Sequence, residues 1–141
     1  MKIKNLDSFV EFEFKELSIL QNRHDVSCRI KAASDGFIGE IDSVWFSCEN
    51  IESFIEELYE LNSNRKDLVE LFNMSSGSDA NPLEFRIFTT DNLGHLAIHT
   101  TLKKLIYFKD SNEISAISLV FEIDAGLLKL IINDFKKLFM I

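Results

Sequence analysis

The chain has 141 residues, 46% of them hydrophobic, so it is long enough to bury a core of its own. Its 23 acidic and 15 basic residues give a formal net charge of −8, which opposes binding to nucleic acid and anionic membranes and favours a basic partner. Two cysteines are too few for a disulfide framework. The sequence also shows no signal segment and no membrane-spanning apolar run, so we expect one cytoplasmic bacterial domain over residues 1–141.

The amino-terminal part of the chain predicts strands. Residues 9–14 alternate between apolar and acidic side chains, with the period of a strand. Two longer segments, 26–34 and 37–46, flank Asp35-Gly36, a dipeptide typical of the two-residue type I′ hairpin turn. One register then places apolar residues together on one face and opposite charges together on the other. The predicted pairs are Ile30–Ile41, Val26–Trp45, Lys31–Glu40 and Arg29–Asp42.

A helix is predicted next, from Glu49 to Leu61, with Ser47 or Asn50 as its cap. Its apolar side chains form one stripe, which is the pattern of a helix that packs against a core. The stripe contains Ile51, Phe54, Ile55, Leu58 and Tyr59. A short strand from Leu68 to Met74 and a loop from Ser75 to Pro82 follow.

A second hairpin is predicted over residues 83–90 and 93–102, with Asp91-Asn92 as a two-residue turn. The expected pairs are Ile87–Leu96, Phe85–Ile98, Phe88–His95 and Glu84–His99. After a last strand, 114–123, Asp124 is expected to cap a final helix from Ala125 to Phe139. We therefore predict an α+β fold, a largely antiparallel sheet of about six to seven strands with two helices packed on one face.

The spacing of His95 and His99 matches a helical metal motif, but the surrounding alternation is that of a strand. In a strand their Cα atoms lie about 13 Å apart, too far for both side chains to bind one zinc ion. Cys48 lies near a predicted helix start, where a thiolate is stabilised, but no histidine is close in sequence to act as its base. We expect both cysteines to be packed residues, and we predict no catalytic, cofactor-binding or metal-binding residue.

The glutamates of the first predicted helix form its most unusual feature. Glu52, Glu56 and Glu60 follow one another at intervals of four residues, and no basic residue occurs before Arg65. Like charges at this spacing destabilise a helix, so a face of this kind either serves solubility or docks a basic partner. The sequence thus offers Glu52, Glu56 and Glu60 as candidate partner-binding residues.

Four segments together resemble a known family. They are a DGFIGEI hairpin that ends in an aromatic residue (Asp35 to Trp45), IESFIEELYEL (51–61), LEFRIFTTDNLGHLAIHTTL (83–102) and LVFEIDAGLLKLIINDF (119–135). Their order and spacing, over most of the chain after about residue 25, resemble the WapI-type bacterial immunity proteins, the cognate inhibitors of contact-dependent toxins. The resemblance implies a protein that is not an enzyme and that occludes a toxin domain stoichiometrically. Such toxins are often basic nucleases, which suits an inhibitor of charge −8.

Two other classes of function stay open at this stage. The first is a small-molecule-binding or enzymatic domain that uses the helix-free face of the sheet, around Glu84, His95, His99 and Glu122. The second is a self-associating module, such as a dimer formed through Phe88, Val44 and Phe46.

Overall fold

The structure, a computed structural model, describes residues 1–65, 67–74 and 81–139, so residues 75–80 of the predicted loop lie outside the described residues. The strands are β1 (Lys2–Asn5), β2 (Ser8–Leu20), β3 (Arg23–Ser34), β4 (Phe37–Ser47), β5 (Leu68–Leu71), β6 (Leu83–Thr89), β7 (Leu96–Tyr107) and β8 (Asn112–Ile123). The α-helices are α1 (Cys48–Asn64) and α2 (Leu128–Leu138), the latter preceded by a 3₁₀ turn at Ala125–Leu127. No helix in the described ranges is long and apolar enough to cross a bilayer.

The strands form two antiparallel sheets, each of four strands in sequential order: β1-β2-β3-β4 and β5-β6-β7-β8. The α+β prediction is confirmed, but the predicted single sheet of about six to seven strands is wrong, because the described strands divide into two sheets. The chain leaves β4 directly into α1, and β5 then pairs with β6. Along the chain, α1 thus lies between the strands of the first sheet and those of the second. In space the two sheets pack against each other, and the glycine at position 39 of β4 meets Ile117 of β8.

The first hairpin turn is confirmed. Asp35 and Gly36 both have positive φ, 50° and 82°, as a type I′ turn requires. The pairs Ile30–Ile41 and Lys31–Glu40 form as predicted. Further from the turn a bulge shifts the register, so Val26 pairs with Phe46 and not with Trp45. The Arg29 side chain still reaches Asp42, with its Nε 3.3 Å from Oδ1.

The second hairpin differs from its prediction, because Asp91-Asn92 is not a two-residue turn. Residues 90–95 form a longer loop, and Ile87 pairs with Ile98 and not with Leu96. The Asp91 carboxylate accepts the backbone N–H groups of Leu93 and His95, and Gly94 has a φ of +83°. These contacts stabilise the longer loop. The pairing shifts by two residues, so each side chain keeps its predicted face.

Both helices pack into one core that the two sheets share. Phe135 of α2 lies at its centre, with ring centroids 5.3 Å from Phe12 of β2, 5.1 Å from Phe54 of α1 and 6.3 Å from Phe85 of β6. The predicted cap is also present, since Asp124 Oδ1 accepts the Gly126 N–H at 2.7 Å. Helix α2 thus packs against α1 and contributes Phe135 to the core that both sheets share.

Candidate functional site

Helix α1 carries the predicted partner-binding residues on one solvent-exposed face. Ser47 caps the helix by accepting the Asn50 N–H at 3.2 Å, which fixes where the first turn begins. The side chains of Ile51, Phe54, Ile55, Leu58 and Leu61 are buried. Glu52, Glu56 and Glu60 are all exposed on the other side, as is Glu49 in the first turn. These four glutamates are called the acidic face below.

Within the described residues, none of the four glutamates lies within 4.0 Å of a basic side chain. The last turn of α1 contains no basic residue to complement the helix dipole. Lys136 of α2 does reach α1, but its Nζ is 2.8 Å from the Tyr59 hydroxyl and 4.9 Å from the centre of that ring. The acidic face is therefore charged, exposed and without an internal counter-ion in this part of the chain.

A groove of about 290 Å³ adjoins the amino-terminal end of the acidic face. It runs between the β2–β3 hairpin and the first turn of α1. Its lining includes Leu17, His24, Asp25, Cys48, Glu49, Glu52 and Phe139. Small-molecule sites usually enclose roughly 300–1,000 Å³, so this groove lies at their lower limit. It joins the acidic face to the exposed end of the hairpin, where Arg23 and His24 line it beside Asp25.

Neither cysteine has the environment of a nucleophile. Cys48 is half-buried at the start of α1, and its pKa is raised by burial and then by the carboxylates of Glu52 and Asp25. These effects outweigh the stabilisation of a thiolate at a helix start. Burial raises the pKa of Cys28 to about 12. Both thiols are thus protonated near neutral pH.

The second sheet contains a serine–histidine pair that sequence reasoning missed. The Nε2 atom of His99 lies 2.8 Å from Ser118 Oγ, and its Nδ1 lies 2.8 Å from the Nε of Arg86. An arginine side chain can only donate hydrogen bonds, so Nδ1 is the acceptor and the ring proton of the neutral histidine lies on Nε2. Nε2 therefore donates to Ser118 and cannot take its proton. The pair has the arrangement of a catalytic dyad with the wrong tautomer for a general base.

Other groups of this sheet are also paired internally. The predicted Glu84–His99 pair does not form, because the register shift places Arg86 opposite His99. Glu84 instead accepts a 2.8 Å hydrogen bond from Lys103, which holds its pKa below the ordinary value. His95 lies in the loop before β7, where its Nδ1 contacts the Asp91 carboxylate; that hydrogen bond raises the pKa of His95.

The two histidines thus have separate partners and do not form a common site. In the described ranges, no group of three or more His, Cys, Asp or Glu side chains is placed to hold a metal ion. The predicted self-association surface is wrong, because Val44 and Phe46 are fully buried and Phe88 is half-buried.

The chain matches no family model, no curated protein and no solved structure with which it was compared. The resemblance to WapI-type immunity proteins and the toxin-inhibitor function therefore stay predictions.

Proposed function

We propose that this domain is an immunity-type inhibitor that binds a basic toxin domain through the acidic face of α1. The complex is stoichiometric, and the bound domain neutralises the toxin by covering its active site or substrate groove. The observation that carries the proposal is the row of exposed glutamates, Glu49, Glu52, Glu56 and Glu60, without an ion-pair partner in the described chain.

A basic partner would relieve an electrostatic cost that the free domain carries. Glu52, Glu56 and Glu60 repel one another at intervals of one helical turn. A partner that presents Lys or Arg side chains along α1 converts this repulsion into attraction. A net charge of −8 also steers a basic partner toward the domain before contact, which raises the association rate.

The polar groups of the second sheet favour this proposal over a small-molecule or enzymatic site. His99 is hydrogen-bonded to both Arg86 and Ser118, and Glu84 is paired with Lys103. A substrate would have to break these contacts. The glutamates of the acidic face have no such contacts to break in the described residues.

We predict that changing Glu52, Glu56 and Glu60 together to Gln slows association with the toxin. The test uses the carboxy-terminal domain of the protein encoded immediately upstream in the source genome, with association rates measured at low and high salt. At low salt the triple variant should bind about tenfold more slowly or worse, because steering contributes on that scale. Added salt should slow the wild type toward the rate of the variant.

The matched control changes three exposed carboxyl groups elsewhere, Asp7→Asn, Asp110→Asn and Glu113→Gln, and so alters the net charge by the same amount. It should bind nearly as fast as the wild type. Equal rates for the control and the α1 variant would refute docking on the acidic face. If the upstream domain fails to bind and co-expression gives no protection from its toxicity, the inhibitor function itself is refuted.

A further inference from the structure

Tyr59 is the one member of the predicted apolar stripe of α1 that the core does not bury. Its side chain is 46% exposed. The other four members of the stripe are buried: Ile51, Phe54, Ile55 and Leu58. Tyrosine combines a large apolar ring with a polar hydroxyl, and it is enriched at the positions that contribute most to binding in protein interfaces. Its exposure therefore makes Tyr59 a candidate contact residue.

The position of Tyr59 on the helix places it at the border of the acidic face. Tyr59 follows Glu56 by three residues and Glu52 by seven. Side chains at these intervals lie along the same side of a helix, about one and two turns apart. Both carboxylates are exposed and form no ion pair within the described residues. The ring thus has unpaired negative charge beside it.

A cation of the domain itself already contacts this ring. The Nζ group of Lys136 on α2 donates a 2.8 Å hydrogen bond to the Tyr59 hydroxyl and lies 4.9 Å from the ring centre. This distance is within the roughly 6 Å at which an aromatic ring attracts a cation. In the described chain no carboxylate lies within 4.0 Å of Lys136, so its contact with Tyr59 is not a by-product of an ion pair. The surroundings of Tyr59 therefore accommodate the end of a cationic side chain.

We propose that Tyr59 anchors the basic partner by binding a Lys or Arg side chain of the toxin domain between its ring and the carboxylates of Glu52 and Glu56. This inference rests on the inhibitor function proposed above and names the residue that holds the complex together once it has formed. The incoming cation gains from the ring and from the carboxylates together. The aliphatic stem of a Lys or Arg side chain also packs on the ring, which a small cation cannot do.

Lys136 competes with the partner for Tyr59. Its positive charge at the hydroxyl repels a second cation, so the incoming side chain has to displace Lys136 or share the ring with it. A partner offsets this cost only through further contacts, such as those with the other glutamates of the acidic face. Lys136 therefore lowers the affinity for every basic protein and favours a partner whose basic residues match the whole face.

The test measures association and dissociation rates of the toxin domain encoded immediately upstream, for three variants whose folding is checked by denaturant unfolding. Tyr59→Leu removes the ring and should raise the dissociation rate about tenfold or more. Its association rate should stay near that of the wild type, because the ring contact forms only after the encounter. Tyr59→Phe keeps the ring and should dissociate nearly as slowly as the wild type. Lys136→Met removes the competing cation and should dissociate more slowly than the wild type.

The matched controls are Tyr107→Leu, which removes the only other tyrosine of the chain, and Lys109→Met, which changes the net charge as Lys136→Met does. Tyr107 is 74% exposed at the end of β7, and Lys109 is exposed in the turn that follows. Both controls should dissociate like the wild type.

Two results overturn the anchor and leave the inhibitor function standing. One is a toxin domain that leaves Tyr59→Leu no faster than it leaves the wild type or Tyr59→Phe. The other is a Lys136→Met variant that dissociates no more slowly than Lys109→Met. A toxin domain that binds none of these proteins, the wild type included, refutes the anchor together with the inhibitor function.

Discussion

At the scale of single residues, the environment of His99 shows how a neighbour decides what a side chain can do. A histidine at hydrogen-bond distance from a serine is a common catalytic arrangement, but here the third partner is Arg86, where a catalytic triad has a carboxylate. The guanidinium fixes the tautomer. Burial and, after it, the charge of that guanidinium hold the pKa of His99 below its ordinary value. Arg86, His99 and Ser118 therefore serve to hold β6, β7 and β8 together.

We predict that Arg86→Met raises the pKa of His99, measured by NMR titration of its ring resonances. In the same spectra His95 is the internal control, since its partner is Asp91 and its pKa should not change.

The lowered pKa of His99 also determines how the stability of the domain changes with pH. As the pH falls below about 6.5, the unfolded chain takes up a proton at this position before the folded chain does. The titration of His99 therefore lowers the free energy of unfolding as the pH falls.

A His99→Gln variant should accordingly lose less stability between pH 7 and pH 5 than the wild type does. Denaturant unfolding at the two pH values measures the difference. A steeper loss in the variant, or a His99 pKa at or above its ordinary value in the wild type, contradicts the assignment.

At the scale of elements, the two sheets approach closely where the glycine at position 39 of β4 faces the second sheet. A Cβ atom added to the glycine at position 39 of β4 would lie 2.5 Å from Cγ2 of Ile117 on β8 and 3.2 Å from Cδ1 of Leu102 on β7. The first distance is shorter than packed atoms tolerate, so even a methyl group there requires the Ile117 side chain or its strand to shift. The absence of a side chain at this position lets β4 approach the second sheet.

We predict that Gly39→Ala destabilises the domain by about 1–3 kcal/mol, the usual cost of overpacking. Removing the opposing Cγ2 with Ile117→Ala should offset part of this loss, so the double variant should be more stable than the sum of the two single changes allows. Denaturant unfolding of all four proteins gives the coupling free energy. Strictly additive losses would show that the steric contact does not limit the approach of the sheets.

At the scale of the whole molecule, one aromatic cluster links all the layers. Phe135 touches rings from both sheets and from α1, and it is fully buried. In the described ranges no strand of one sheet pairs with a strand of the other, so side chains of this kind hold the sheets together. Unfolding should therefore be cooperative across both sheets.

We predict that Phe135→Ala costs about 3–5 kcal/mol, a large part of the stability of an ordinary domain. Trp45 fluorescence reports on the first sheet, and hydrogen exchange of β7 amides reports on the second. Both midpoints should shift together. The control is Leu130→Ala on the same helix, which should change stability little because Leu130 is 58% exposed. Loss of order in only one sheet would refute a shared core.

The sequence by itself determined the features that depend on neighbouring residues. The type I′ turn at Asp35-Gly36, the caps formed by Ser47 and Asp124, and the exposed glutamates of α1 were all predictable, because each depends on interactions within a few residues. The candidate partner-binding residues belong to this group. Their positions followed from the period of the helix and the apolar stripe opposite them.

Only the tertiary structure decided how these pieces combine. No local pattern states that β4 and β5 belong to different sheets, because strand pairing is a contact between distant segments. The second hairpin took a different register because the Asp91 side chain and Gly94 favour a longer loop, and an even shift keeps the same faces buried. That shift placed Arg86 beside His99, and the pairing of β7 with β8 placed Ser118 on the other side of the same ring. The chemistry of the sheet therefore depended on a register that the alternation of apolar residues alone leaves open.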